Sequence, residues 1–168
     1  VLDDKHKNLK LSEIQKIKNL EEITYNSVSD ILENKKVKKA SFTGKLNKED
    51  LYKLYQIADI GVLPSFHEQC SYVAIEMMMY GIPLVASTST GLSEMIEDGV
   101  SGYHIPIIEY ENHTDLNTYE LQSKLLILLK DSSMRKEMAK NSRLRYERYY
   151  TSEIFSSCMQ EFYNRFVL

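Results

Sequence analysis

Two short apolar runs, Ile60-Gly61-Val62-Leu63 and Leu84-Val85-Ala86-Ser87, and a last, edge-like one, Gly102-Tyr103-His104-Ile105, are divided by stretches with helical spacing. This alternation constrains the fold more than any other feature of the chain. Runs that are apolar on successive residues suit strands covered on both faces, and strands divided by helices pair in parallel. The punctuation agrees. Pro64 and Pro106 stop two of the runs and Pro83 precedes the third. Ser71 is placed to cap a helix over 72–80, and Gly81 stands where helices leave with positive φ. A shorter helix is predicted over 92–98, followed by Gly99. The expected class is α/β, a Rossmann-like parallel sheet flanked by helices.

Upstream, Leu11, Ile14, Ile17, Leu20, Ile23, Val28, Ile31 and Leu32 repeat at helical spacing, which predicts one or two amphipathic helices over 10–33. Ala40–Thr43 reads as a strand closed by Gly44. Asn47 then caps a helix that turns Leu51, Leu54, Tyr55 and Ala58 inward. Downstream, the polar, acidic residues 109–120 read as a surface loop, and helices are predicted over 118–130, 133–147 and 151–166. The last of these carries Ile154, Phe155, Cys158, Met159, Phe162, Tyr163 and Phe166 around most of its circumference. Such a helix is either core or docked on something outside the chain, with Cys158 expected as a small buried group. Residues 1–168 thus read as a single partial domain, its sheet region at 38–106 and a helical tail at 118–168.

The 168 residues suffice for one hydrophobic core. With 21 basic and 24 acidic side chains the net charge is −3, which gives no reason to expect a nucleic-acid partner. Lys35, Lys36, Lys38 and Lys39 fit a solvated helix end and turn. Cys70 and Cys158 are far apart and lack metal-site spacing, so a reducing compartment is the simple reading. There is no run of 18 apolar residues and no secretory signal at Val1–Lys5. The start at Val1 rather than Met fits an excised piece of a longer protein.

Candidate chemistry gathers at 60–81. In parallel α/β sheets, ligands sit beyond the C-terminal ends of the strands, where loops feed helix N-termini. Pro64–Cys70 occupies such an edge, and the helix start at Ser71 offers unpaired amides suited to a phosphate. Glu68 precedes the helix and Glu76 lies about one turn into it. Two carboxylates so placed can accept hydrogen bonds from a polyhydroxylated ligand. The loop Ser87–Glu94 is rich in hydroxyls, and Gly91 permits close backbone approach. It opens on the same sheet edge. A surface-loop role is the simpler reading of His67, and a structural one of His104. Most tyrosines sit at helical spacing as packing residues, and Met77-Met78-Met79 is flexible helix filler.

Taken in order, Phe42-Thr43-Gly44, Leu51–Asp59, Val62-Leu63-Pro64-Ser65, Glu68…Glu76, Tyr80–Ala86, Gly91-Leu92-Ser93-Glu94 and Asp98-Gly99…Gly102 resemble one known domain. It is the C-terminal, donor-binding domain of the retaining GT-B glycosyltransferases of family 4, the glycosyl transferases group 1. The resemblance is close over 38–106 and extends to the tail only in pattern. It implies a transferase that moves a sugar from a nucleotide diphosphate sugar to a glycan or lipid-linked acceptor, with retention by front-face attack. It implies that Glu76 binds the ribose hydroxyls and that Glu68 lies beside the transferred sugar. The backbone at Cys70, Ser71 and Tyr72 would approach the diphosphate or sugar, with Thr90 and Gly91 lining the same pocket. Glu94 would be structural. No metal or other cofactor is implied, and the expected location is cytoplasmic, at or near the inner membrane face.

The chain departs from the family in three places. Cys70-Ser71 replaces the usual Phe-Gly, and Thr90-Gly91 replaces Gly-Gly. The upstream glycine-rich turn with its Arg and Lys, which neutralise the pyrophosphate, has no match, nor has the acceptor domain. The chain is therefore expected to be part of a donor domain, without transferase activity alone. Two alternatives stay open: a sugar-nucleotide epimerase of similar fold, and a binding or scaffold module that has lost catalysis.

Overall fold

The computed structural model describes residues 21–23 and 40–166, which fall into two compact units divided after Ile57. In the first unit, β1 (Glu21–Ile23) pairs antiparallel with β2 (Ala40–Phe42), Glu21 opposite Phe42 and Ile23 opposite Ala40. Helical spacing over 10–33 predicted a helix through 21–23, and these residues are extended instead. A partner strand supplies their backbone groups with a ladder, and pairing outweighs the local pattern. The rest of 10–33 and the Lys35–Lys39 run lie outside the described residues. Helix α1 (Lys48–Ile57) starts as its sequence dictates. The Asn47 side-chain oxygen accepts from the Asp50 amide at 2.9 Å. Tyr55 is buried and Leu51 and Leu54 are half-buried, but Ala58 falls past the helix end and is exposed.

The second unit contains the three predicted strands as one parallel sheet, with the expected edge-like strand at its edge. It comprises β3 (Gly61–Leu63), β4 (Leu84–Ser87) and β5 (Gly102–Ile105), in that spatial order. Leu63 pairs with Ala86, and Ser87 pairs with Ile105, so the three C-terminal ends are nearly level. Helix α2 (Tyr72–Met79) joins β3 to β4, and the short α3 (Thr90–Met95) follows β4. The helix predicted over 92–98 thus begins earlier and ends sooner. Ser89 is extended and marks the start, while Ile96 leaves the helix to enter the core.

The central strand β4 is buried along its whole length. Alternation sends Leu84 and Ala86 to one side, among Ala74, Met78, Leu92, Met95 and Ile96. Val85 goes to the other, among Ile105, Leu116, Leu128 and Met138. Each of the larger side chains contributes about 1.5–3 kcal/mol by leaving water. That two-sided cover is why the run reads as continuously apolar.

Residues 109–120, expected as a surface loop, are ordered. A hairpin of β6 (Ile107–Glu109) and β7 (Thr114–Leu116) is followed directly by α4 (Thr118–Lys130). Ile107 and Leu116 reach the second core cluster, and their burial holds the polar hairpin in place. Helices α5 (Ser132–Tyr149) and α6 (Ser152–Asn164) complete the helical tail.

Helix α5 packs along α2 and binds the C-terminal ends of α2 and α3. Ser142 donates to the Ile82 carbonyl at 2.8 Å, and Arg143 donates to the Met79 carbonyl. Arg145 donates to the Met95 and Glu94 carbonyls at 2.6 and 2.8 Å. Helix C-terminal carbonyls lack intrahelical partners, and cationic donors there also suit the helix dipole. Gly81, at φ 67°, ends α2 and lies under α5. In α6 no residue is buried; Phe155, Phe162 and Tyr163 on it, and Phe166 just past its end, are exposed. Cys158 is exposed as well, against expectation: among the described residues α6 packs chiefly on α5. No helix among the described residues is long and apolar enough to cross a membrane.

Candidate functional site

Because the three strands are parallel and end level, the segments leaving β3, β4 and β5 all emerge on one edge of the sheet. They converge on a single cavity of about 350 Å³. Phe66, His67, Glu68 and Gln69 come from the first segment, Thr88, Ser89 and Thr90 from the second, and Ile107, Glu109 and Thr114 from the hairpin. This volume lies within the roughly 300–1,000 Å³ typical of small-molecule sites. Among the described residues no lysine or arginine lines it.

The first two segments are fastened together by the main chain. Gly91 donates its amide to the Glu68 carbonyl at 2.8 Å, and the buried Ser87 hydroxyl donates to the Ser65 carbonyl. The contact at Gly91 leaves no room for a side chain. A Cβ there would stand 1.9 Å from the Gln69 carbonyl oxygen and 2.8 Å from that of Glu68. Gly91 is buried, and its amide is engaged by the Glu68 carbonyl, so it fixes the backbone of Glu68.

Ser71 shows what the Cys70-Ser71 departure does. It is 4% exposed, and its hydroxyl accepts from the Ala74 amide at 3.3 Å as the N-cap of α2. The side chain serves the helix start. Cys70 and Tyr72 flank it and are both exposed, outside the cavity wall. Glu76 is half-buried one turn into α2 and is also outside the wall. Of the sequence-predicted residues, the structure gathers Glu68 and Thr90 in the cavity, with Gly91 directly behind them. His67, for which a plain surface role was the simpler reading, belongs to the wall.

Tyr150, which follows α5, packs against the α2–α3 side of the core. Burial pushes its phenol up, Arg145 pulls it down, and Cys70 adds a smaller upward push. No group of three His, Cys, Asp or Glu residues able to hold a metal occurs among the described residues.

Sequence reasoning missed Ile107, Glu109 and Thr114. The signal was present. Ile107-Ile108-Glu109 and Thr114-Asp115-Leu116 flank four polar or aromatic residues, a length that hairpin loops commonly adopt. The acidic composition masked it.

The family model for glycosyl transferases group 1 matches residues 24–145, more than half of the chain. The chain belongs to that family. Among the chain's relatives is the alpha-D-kanosaminyltransferase of Streptomyces kanamyceticus, 30% identical over 104 residues that span 62% of this chain and 25% of that protein. Sucrose-phosphate synthase of Thermosynechococcus elongatus superposes with a TM-score of 0.64 at 26% identity, over 74% of this chain and 29% of that one. Anabaena HepE, solved in complex with UDP, has the same fold at 20% identity, with a TM-score of 0.60 over 70% of this chain and 30% of that one. The fold is that of the GT-B glycosyltransferases, and the chain spans about a quarter to a third of the length of these proteins.

Proposed function

We propose that this glycosyltransferase chain is the donor-binding part of a family 4, retaining enzyme that takes its sugar from a nucleotide diphosphate sugar. The observation that carries the reading is the cavity at the C-terminal sheet edge, walled by hydroxyls and Glu68 and free of cationic side chains among the described residues. A compartment of that kind suits the sugar, while the diphosphate lies toward the N-terminus of α2 at Cys70, Ser71 and Tyr72. Glu68 accepts hydrogen bonds from the sugar hydroxyls, Thr90 lines the sugar compartment, and Glu76 accepts from the ribose hydroxyls. The UDP complex of HepE, which shares the fold, supports a nucleotide as the leaving group.

In the proposed reaction an acceptor hydroxyl attacks the anomeric carbon from the face the diphosphate leaves. The new C–O bond forms as the anomeric C–O bond to phosphate breaks, the hydroxyl proton passes to the departing phosphate oxygen, and helix-terminus amides stabilise the charge developing on the leaving group. The reading calls on no metal or cofactor. The acceptor is a glycan or lipid-linked sugar held by other parts of the polypeptide, at the inner membrane face, so this chain alone transfers nothing.

Saturation-transfer NMR with UDP-glucose, GDP-mannose, ADP-glucose, UDP and GDP tests it. Ribose protons should be saturated with the wild type and lose signal with Glu76→Ala, since a hydrogen bond to a charged group is worth about 1.5–3 kcal/mol. Nucleotides that bind wild type and variant alike would overturn the role of Glu76.

A further inference from the structure

The β6–β7 hairpin begins after Pro106, beyond the segment whose motifs carry the family resemblance, and yet it supplies one wall of the cavity. Its register explains how. Ile107 stands opposite Leu116 and Glu109 opposite Thr114, so all four side chains share one face, with Ile108 and Asp115 on the other. Ile107 and Leu116 are packed in the core, which turns that face toward the domain. The same alternation carries Glu109 and Thr114 over the cavity.

The hairpin is also held at both ends. At its base Ile107 donates its amide to the Thr88 hydroxyl at 3.2 Å, and Asn117 donates to the Pro106 carbonyl at 3.1 Å. At its tip Tyr110 donates to the His113 carbonyl at 2.9 Å, and the two rings stack with centroids 4.6 Å apart. Glu109 is therefore carried on a braced two-stranded element instead of a loose loop.

Two carboxylates, Glu68 and Glu109, thus share a cavity with the hydroxyls of Thr88, Thr90 and Thr114. Carboxylates accept hydrogen bonds and repel anions, and no lysine or arginine of the described wall offsets them. We infer that Glu109, with Thr114 beside it, is a specificity determinant that admits a neutral polyhydroxylated hexose and rejects a uronic acid. The inference rests on the donor-site reading above. It adds to that reading the charge class of the sugar and the element that sets it.

The test is equilibrium binding of UDP, UDP-glucose and UDP-glucuronate to the full chain, with GDP-mannose and GDP-mannuronate as the matching guanine pair. The variants are Glu109→Gln, Glu109→Lys and, as a control, Glu111→Gln, which removes the same charge from the exposed hairpin turn outside the cavity wall. The wild type should prefer the neutral sugar by about tenfold at low salt, and less as salt rises. Glu109→Gln should compress that ratio to about threefold or less, and Glu109→Lys should invert it. Glu111→Gln should keep the wild-type ratio. Circular dichroism checks that each variant is folded. Neutral-sugar binding with the same ratio in both Glu109 variants would overturn the inference and leave the donor-site reading standing. Folded chain that binds none of the five nucleotides would overturn both.

Discussion

Substituting Gly91 by alanine should damage fold and site together, by an amount the structure allows to be worked out. The new Cβ would lie 1.9 Å from the Gln69 carbonyl oxygen and 2.4 Å from its carbonyl carbon. Those atoms are backbone and cannot rotate aside, so the Glu68–Gln69 segment must retreat by about 1 Å to reach ordinary contact. The retreat breaks the 2.8 Å bond from the Gly91 amide to the Glu68 carbonyl. Overpacking costs about 1–3 kcal/mol and the lost hydrogen bond about 0.5–1.5. A total near 2–3 kcal/mol corresponds to a fall in Tm of roughly 5–10 °C for a chain of this size. Glu68 would shift with its backbone by about 1 Å, so on the donor-site proposal nucleotide-sugar binding should weaken even in buffer where the variant stays folded. Urea denaturation and nucleotide-sugar titration of Gly91→Ala would measure both effects. A variant within about 0.5 kcal/mol of wild type, with unchanged binding, would refute the close approach of the two loops.

Arg145→Met should destabilise by about 2 kcal/mol, because the Met95 and Glu94 carbonyls lose charged donors. Arg145→Lys should recover only part of this, since one ammonium lacks the planar fork that reaches both, and the two variants compared in urea decide it. Little of the effect comes from the 3.4 Å ion pair with the exposed Glu97. Tyr150 gives the pH prediction. Burial raises its phenol above 10.0, so the folded state holds that proton longer than the unfolded chain does. The resulting stability is complete below about pH 10 and is lost as pH rises through the folded-state value. Tyr150→Phe, which cannot ionise, should show a shallower decline in denaturation midpoint above pH 10.

The sheet was legible because its physics is local. Leu84–Ser87 must be apolar on consecutive residues if both faces are covered, and Ser71, Gly81, Pro83 and Pro106 mark ends through their own backbone chemistry. The place of Glu68 in a loop at the C-terminal sheet edge, and of Thr90 at the helix start that opens on the same edge, followed from the parallel topology. Elsewhere the decisive partner was distant in sequence. Glu21–Ile23 kept a helical pattern but found a strand at Ala40–Phe42. The hairpin rested on two isoleucines and one leucine among acidic residues, and only its packing against Leu128 and Met138 makes it an ordered cavity wall. Gly91 was recognised as a close-approach residue, although the backbone it approaches is that of Glu68 and Gln69. Cys158 illustrates the reverse case. Its apolar helix predicted burial, and among the described residues nothing buries it.

The most direct measurement is NMR shift mapping of UDP-glucose onto the chain. A donor site at the sheet edge predicts that the largest amide perturbations fall at His67–Gln69, Thr88–Thr90 and the Glu109/Thr114 pair, extending to the first turn of α2. Perturbations gathered instead along α4, around the separate groove of about 330 Å³ lined by Tyr119, Gln122, Leu126 and Lys130, would contradict it.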